Sequence, residues 1–321
     1  MIPNPLPTGR TARRLEWAHL PPPIRHHIEK RIGTRVVESH SQGAGFTPGF
    51  ASVLVGADGS RHFVKAASTV AQRLFADSYR VEAVRLRTLP PGTPAPRLLW
   101  NQETEDWVLL GIEYVDGRGP SRPWASQDLA ACSQMLIDCA SALTPAPGIG
   151  VATAAEEFAS WPALWSSIDH PRAEEYGALA ARYAEVMGGN TLVHCDVRDD
   201  NILMLTDGSA VICDWNWPVV GAAWLDSLML LIGPRGDGLD VDGFIAGHPL
   251  LRDVPAEHID IALALWLGYF TASANLPHRS NSPYLRQAQG WQREVIDHWL
   301  AARRMEPSGP PNGASTTQPP R

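Results

Sequence analysis

The 321-residue chain has only four cysteines, Cys132, Cys139, Cys195 and Cys213, with no C-x-x-C pair and no histidine at a ligand spacing from them. That rules against a secreted disulfide framework and a zinc knot, and the thiols are expected to be reduced in a cytoplasmic protein. It has no block of lysine or arginine, and its 27 basic side chains are outnumbered by 34 acidic ones, for a formal charge of -7. Such a surface does not track a phosphate backbone, so no nucleic-acid partner is expected. Long apolar runs are also missing. The longest, Ile261–Phe270, is about half of what a bilayer crossing requires. The opening MIPNPLPTGR lacks the apolar centre of a signal peptide, so no membrane partner is expected either.

Proline, glycine, serine and threonine crowd residues 1–16 and 305–321, which can bury little and are expected to be disordered tails. Between them the reading is of an N-terminal lobe over 17–116 and a C-terminal lobe over 117–304. Pro23 and Gly33 bracket a short helix, Val36–Ser39 reads as a strand, and β-rich runs either side of Asp58-Gly59 form a hairpin. A helix is predicted over 69–87, with Val70, Leu74, Val81, Val84 and Leu86 as its apolar positions, stopped by P90-P-G-T-P-A-P96. Trp107–Val115 reads as a buried strand, and D116-G-R-G-P-S-R-P123 as the link between lobes. Beyond it helices are predicted over 128–143, 154–165, 172–187, 257–272 and 284–304, with short strands at 201–205 and 210–213.

The most informative segment is T191-L-V-H-C-D-V-R-D-D-N-I-L-M-L-T-D-G-S-A-V-I-C-D-W215. It holds H-x-D-x-x-x-x-N at His194, Asp196 and Asn201, and Asp214 follows after a turn at T206-D-G-S209. Phosphate transfer to a hydroxyl needs a carboxylate that accepts the proton, plus an oxygen donor and a second carboxylate that hold Mg²⁺ against a triphosphate. Asp196, Asn201 and Asp214 supply those groups, and the turn reverses the chain so that the last two face one site. Upstream, Lys65 ends the F63-V-K65 run and Glu82 lies on the following helix, an ammonium for phosphates with an acid to orient it. The glycines of S41-Q-G-A-G-F-T-P-G-F50 let backbone approach phosphate oxygens, although the segment matches neither a P-loop nor a dinucleotide fingerprint.

On V193-H-C-D-V-R-D-D-N-I-L203, I212-C-D-W215 and G221-A-A-W-L-D226 the chain resembles the aminoglycoside phosphotransferase family of the protein-kinase-like fold, over roughly residues 24–304. The resemblance implies an α+β bilobal fold, with a small mostly β N-terminal lobe and a larger mostly helical C-terminal one. It implies ATP or GTP as phosphate donor, bound between the lobes, with Ile112, Glu113, Tyr114 and Val115 as a candidate hinge meeting the base. By the same resemblance Lys65 contacts phosphates, Glu82 pairs with it, Asp196 is the base, and Asn201 and Asp214 bind magnesium. His194 and Asp226 hold the catalytic loop. Two departures stand out: Cys195 replaces a glycine common in the family, and D214-W-N replaces the protein-kinase D-F-G. The short interval from Asp214 to Asp226, with no A-P-E after it, argues against a phosphorylated activation segment and for a small-molecule kinase. The acceptor is read as an aminoglycoside-type or other antibiotic, with a sugar, amino alcohol or amino-acid-like metabolite, or a catalytically silent nucleotide-binding scaffold, as alternatives. Trp124, Trp266, Tyr269, Trp291 and Trp299 are read as core residues, and Trp215 and Trp217 as either a cleft wall or a loop anchor.

Overall fold

A computed structural model describes residues 1–9, 11–46, 48–278 and 282–305. Helix α1 (Pro22–Ile32) starts on prolines, whose fixed φ suits a first turn, and ends at Gly33, whose φ of 80° lets its N–H close on Glu29. Strands β1 (Val36–Ser41), β2 (Phe50–Gly56), β3 (Arg61–Ser68), β4 (Leu98–Glu103) and β5 (Trp107–Ile112) form one antiparallel sheet in the order β1-β2-β3-β5-β4. Helix α2 (Arg73–Thr88) connects β3 to β4.

Strand alternation divides the two faces of this sheet. Val64, Ala66 and Leu109 pack with Ile24 and Ile28 of α1, whereas Ala67, Val108 and Leu110 join Ala76, Tyr79 and Ala83 of α2. The expected apolar positions of α2 are corrected here. Val70 precedes the helix and Leu74 lies within it, and they are 77% and 80% exposed; Val81 and Val84 are exposed as well. The buried stripe is Tyr79, Glu82, Ala83 and Leu86, at the i, i+3, i+4, i+7 spacing of one helix face. An acid sits inside that stripe because the sheet presents a lysine to it.

After β6 (Gly117–Arg118) the chain is mainly helical: α3 (Ser126–Ala142), α4 (Ala154–Glu157), α5 (Ala173–Ala181) and α6 (Tyr183–Val186). The helix expected over 154–165 stops after α4 and resumes as a 3₁₀ turn at Pro162–Ser167, since Pro162 cannot donate to a continuing ladder. Strand β7 (Thr191–Val193) pairs with β10 (Val219–Gly221), and between them β8 (Ile202–Leu205) and β9 (Ala210–Ile212) form a hairpin. Helices α7 (Leu225–Leu230), α8 (Ile232–Gly236), α9 (Val241–Gly247), α10 (Ala256–Ala274) and α11 (Leu285–Met305) complete this part. Helix α10 is buried almost all round from Ile259 to Gly268, which accounts for the Ile261–Phe270 run, and Trp266 and Trp299 lie in the same core. Among the described residues no helix is long and apolar enough to cross a membrane.

The tail expected over 1–16 is instead attached to the body in its described residues. The Ile2 N–H donates to Gly236 O at 2.7 Å, Trp291 Nε1 donates to Ile2 O at 2.9 Å, and Thr11 is buried with its N–H on Gly43 O at 2.8 Å. Backbone and hydroxyl hydrogen bonds hold a segment that composition marked as unable to pack. Residues 306–321 of the expected C-terminal tail lie outside the described residues.

Candidate active site

Lys65 sits on β3 opposite Leu110 of β5 and Ala51 of β2. The alternation that buries Ala67 under α2 turns Lys65 to the same face. Its ammonium donates to Glu82 Oε1 at 2.7 Å, Glu82 Oε2 at 2.9 Å and Asp214 Oδ1 at 2.9 Å. Burial works against the charge on Lys65, but Asp214 and Glu82 outweigh it and hold the ammonium above its ordinary range. Burial would likewise raise Asp214, yet Lys65, by its charge and its hydrogen bond, holds that carboxyl down at about 2, with Arg198 and Arg14 adding to the pull. Glu82, 1% exposed, is pushed up by burial against the attraction of Lys65.

The β8–β9 hairpin reverses at Asp207-Gly208, where Gly208 takes φ 86° and the Asp207 carboxylate accepts from the Ser209 N–H and hydroxyl. This return brings the Cys213 N–H onto Asn201 O at 2.8 Å, so Asn201 and Asp214 stand side by side. Asn201 Nδ2 donates to Asp196 O at 2.8 Å and to Asp196 Oδ2 at 3.1 Å. The other oxygen of Asp196 pairs with Arg198, which also holds Asp200 at 2.9 Å. Arg198 was not among the residues singled out from sequence, where it reads as one more charge between two acids.

His194 Nε2 donates to Cys213 O at 2.9 Å while its Nδ1 accepts the Asp196 N–H at 3.2 Å, which fixes the tautomer. Buried Asp226 accepts the N–H groups of His194 at 2.6 Å and Cys195 at 2.9 Å, and burial raises its carboxyl above the ordinary value. Cys195 keeps this bond at φ 58°, the left-handed region that suits a glycine. Trp215 is buried edge-on to His194 with its Nε1 on Ile212 O at 3.2 Å, so of the two roles considered it has that of an anchor. Trp217 is exposed and donates to Glu157 at 2.7 Å.

A cleft of about 350 Å³ is lined by Lys65, Glu82, Asn201 and Asp214, and also by Ile112, Glu113, Tyr114 and Val115 at the end of β5. Apolar Val53, Phe63, Leu86 and Leu203 form further wall. Asp196, His194 and Asp226 are not among its lining residues; they reach it through Asn201 and the loop behind it.

A lysine braced by a buried acid, a facing Asn and Asp, and a third carboxylate bonded to that Asn form the constellation of a phosphate-transfer site. A model of the phosphotransferase enzyme family matches residues 49–258, more than half of the chain. The chain belongs to that family. This protein is therefore a phosphotransferase enzyme, a kinase with a kinase-like α+β fold. Among solved structures it is similar to an aminoglycoside phosphotransferase from Alicyclobacillus acidocaldarius, with 17% identity over 84% of this chain and 92% of that one and a TM-score of 0.55. It is similar too to the choline kinase LicA from Streptococcus pneumoniae, at 13% identity, 87% and 99% coverage and a TM-score of 0.58. LicA in complex with AMP also aligns, at 14% identity, 89% and 99% coverage and a TM-score of 0.52. At these identities the likeness is one of fold. No curated protein sequence matches the phosphotransferase significantly.

Proposed function

We propose that the phosphotransferase binds ATP or GTP in the cleft between the sheet and the β8–β9 hairpin and moves the γ-phosphate to a hydroxyl of a small molecule. The observation that carries this is the convergence of Lys65, Asn201 and Asp214 on one cleft, with Asp196 hydrogen-bonded to Asn201. The AMP bound to LicA supports a nucleotide in the same fold. In this reading Lys65, oriented by Glu82, contacts phosphate oxygens, and the backbone of Glu113–Val115 meets the base. The Asp196 carboxylate orients the acceptor hydroxyl and takes its proton as the oxygen attacks the γ-phosphorus and the bond to the β–γ bridging oxygen breaks. Asp226 and His194 hold the loop that carries Asp196.

The donor set suits magnesium. Asn201 commits its Nδ2 to Asp196, and Asp214 commits Oδ1 to Lys65 and Asn216. Asn201 Oδ1 and Asp214 Oδ2 have no hydrogen-bond donor among the described residues, so two hard oxygens remain on side chains lining one cleft. Two protein oxygens are too few for a closed site and right for an ion shared with phosphates and water. When bound, the ion would neutralise charge on the transferred group.

An aminoglycoside-type or related antibiotic is the acceptor class we put first, and an amino alcohol or sugar metabolite second; the resemblance to LicA favours including choline. The test is a transfer assay in which the purified enzyme, magnesium and γ-labelled ATP or GTP are offered aminoglycosides, macrolides, choline and aminated sugars. Label appearing on one acceptor establishes the reaction and its class. Label reaching none of them removes these acceptor classes, and a folded enzyme that also fails to bind ATP or GTP with magnesium overturns the nucleotide reading of this cleft.

A further inference from the structure

The cleft is short of positive charge. Lys65 answers two carboxylates at once, Glu82 and Asp214, and Arg198 answers Asp196 and Asp200, so the groups around the expected phosphates are net acidic before a polyanion arrives. Lys65 and Arg14 are the two cations among the lining residues. Arg14 comes from the N-terminal segment, outside the matched region of 49–258.

That segment is fixed at both ends of its path. Ile2 is bonded to Gly236 and Trp291 in the helical part, and Thr11 donates its N–H to Gly43 O at 2.8 Å and its hydroxyl to Gly45 O at 2.6 Å. Arg14 then donates a terminal NH₂ to Ala44 O at 2.7 Å. Three successive carbonyls of the glycine-rich loop are thus turned toward the segment. A Cβ at Gly45, which has φ 82°, would come within 3.3 Å of the guanidinium, so the glycine permits this close approach. Arg14 Nε is buried without a hydrogen-bond partner among the described residues, and Arg14 makes no ion pair there. A guanidinium with one arm on the loop and an unmatched donor beside a cleft is a site built for an oxyanion.

We propose that the N-terminal segment supplies Arg14 as a second phosphate-binding cation, lining the same cleft as Lys65 and hydrogen-bonded to the glycine-rich loop. The proposal rests on the nucleotide reading given above. It makes Thr11 and Arg14 part of the nucleotide site, Thr11 tying down the loop and Arg14 both holding the loop and binding charge.

The two tasks separate by calorimetric titration of the full chain with magnesium plus a β,γ-imido triphosphate, and with the matching nucleoside, for both adenine and guanine. Arg14→Gln should weaken triphosphate binding roughly tenfold or more, the size of a charge-assisted hydrogen bond, and change nucleoside binding less than about twofold. Arg14→Lys should recover part of the loss, and Arg13→Gln, at an exposed neighbour, should lose nothing. Equal loss for triphosphate and nucleoside would reduce Arg14 to a loop clamp and overturn the proposal. Unchanged triphosphate affinity in Arg14→Gln would overturn it while leaving the nucleotide reading intact. Wild-type enzyme that binds neither base in either form would overturn both.

Discussion

Asp196 and Asp214 lie close together in the chain and are held by opposite means. Asp214 is fixed from a distance, by Lys65 across 149 residues of sequence, and that lysine is braced in turn by Glu82 on another element. Asp196 is fixed by its own neighbourhood, through Arg198, Asn201 and the ring of His194. The difference in exposure is small, 29% for the Asp214 side chain and 35% for Asp196, so burial does not distinguish them. What distinguishes them is the reach of their partners: a buried long-range ion-pair network around Asp214, on the proposed phosphate side, and around Asp196, on the proposed acceptor side, a compact loop in which Arg198, Asn201 and His194 all lie within five residues.

The largest effect is expected on the acceptor side. Asp196→Asn keeps an oxygen for the Asn201 N–H but cannot accept a proton, so kcat should fall about 10²–10⁴-fold, the usual worth of a general base. Triphosphate affinity should stay within about threefold, because Asp196 does not line the cleft. Steady-state kinetics with whichever acceptor the transfer assay identifies, paired with titration of the imido analogue, checks both halves; a rise in KM with kcat unchanged would remove Asp196 from the chemistry.

On the phosphate side the cost should appear in stability as well. Lys65→Met leaves Glu82 buried without its cation, and breaking a buried pair in this way destabilises by about 3–5 kcal/mol. The double variant Lys65→Met with Glu82→Gln removes the more deeply buried of the two carboxylates that lose their cation and should recover at least about 1 kcal/mol of that loss by urea unfolding. Additive losses would mean that the two side chains are not coupled.

How much of this was legible in the sequence follows the same division. The loop from His194 to Asn201 and the return to Asp214 could be read because their partners are a few residues away and a turn of known chemistry lies between. Lys65 and Glu82 could be paired only as a strand-end lysine and a helical acid, and the stripe that buries Glu82 was misread because Val81 and Val84 offered a more apolar alternative. Strand β4 escaped notice: L98-L-W-N-Q-E103 shows no period of two, although its burial alternates. Arg14 left no local signal at all, since the carbonyl it holds lies 30 residues on, in a loop, and the cleft it lines is built from distant elements.

A pH series probes the ion-pair side more gently. The folded Asp214 carboxyl, held by Lys65 and lowered from 3.8 to about 2, contributes stability that is fully present above pH ~4 and is lost as pH falls through about 2. The shift corresponds to about 2 kcal/mol. The stability gap between wild type and Asp214→Asn should therefore be flat from pH 8 to 5 and narrow between pH 4 and 2.5, read from urea midpoints. A gap that narrows already at neutral pH would show that Asp214 is not held by Lys65.

The smallest effect belongs to the backbone, and each side of the comparison offers one position for it. Cys195 and Asp214 are the non-glycine residues with positive φ among those described, at 58° and 65°. Left-handed backbone costs a residue with a Cβ roughly 1–2 kcal/mol, and Asp tolerates it better than Cys because its short polar side chain bonds locally. Cys195→Gly removes that strain and keeps the N–H that Asp226 accepts, but it gives up side-chain packing against the core and frees the unfolded chain by about 0.4–1 kcal/mol. These contributions oppose one another, so the thermal midpoint should move by no more than the equivalent of about 1 kcal/mol. Cys195→Val, β-branched at the same φ, should lose about 2 kcal/mol or more, since it adds crowding to the strain. If glycine proves as damaging as valine, the thiol's packing holds the loop and the backbone conformation is incidental. If valine is tolerated as well as glycine, the loop does not need the left-handed turn, and the two bonds from Asp226 alone fix the approach to Asp196.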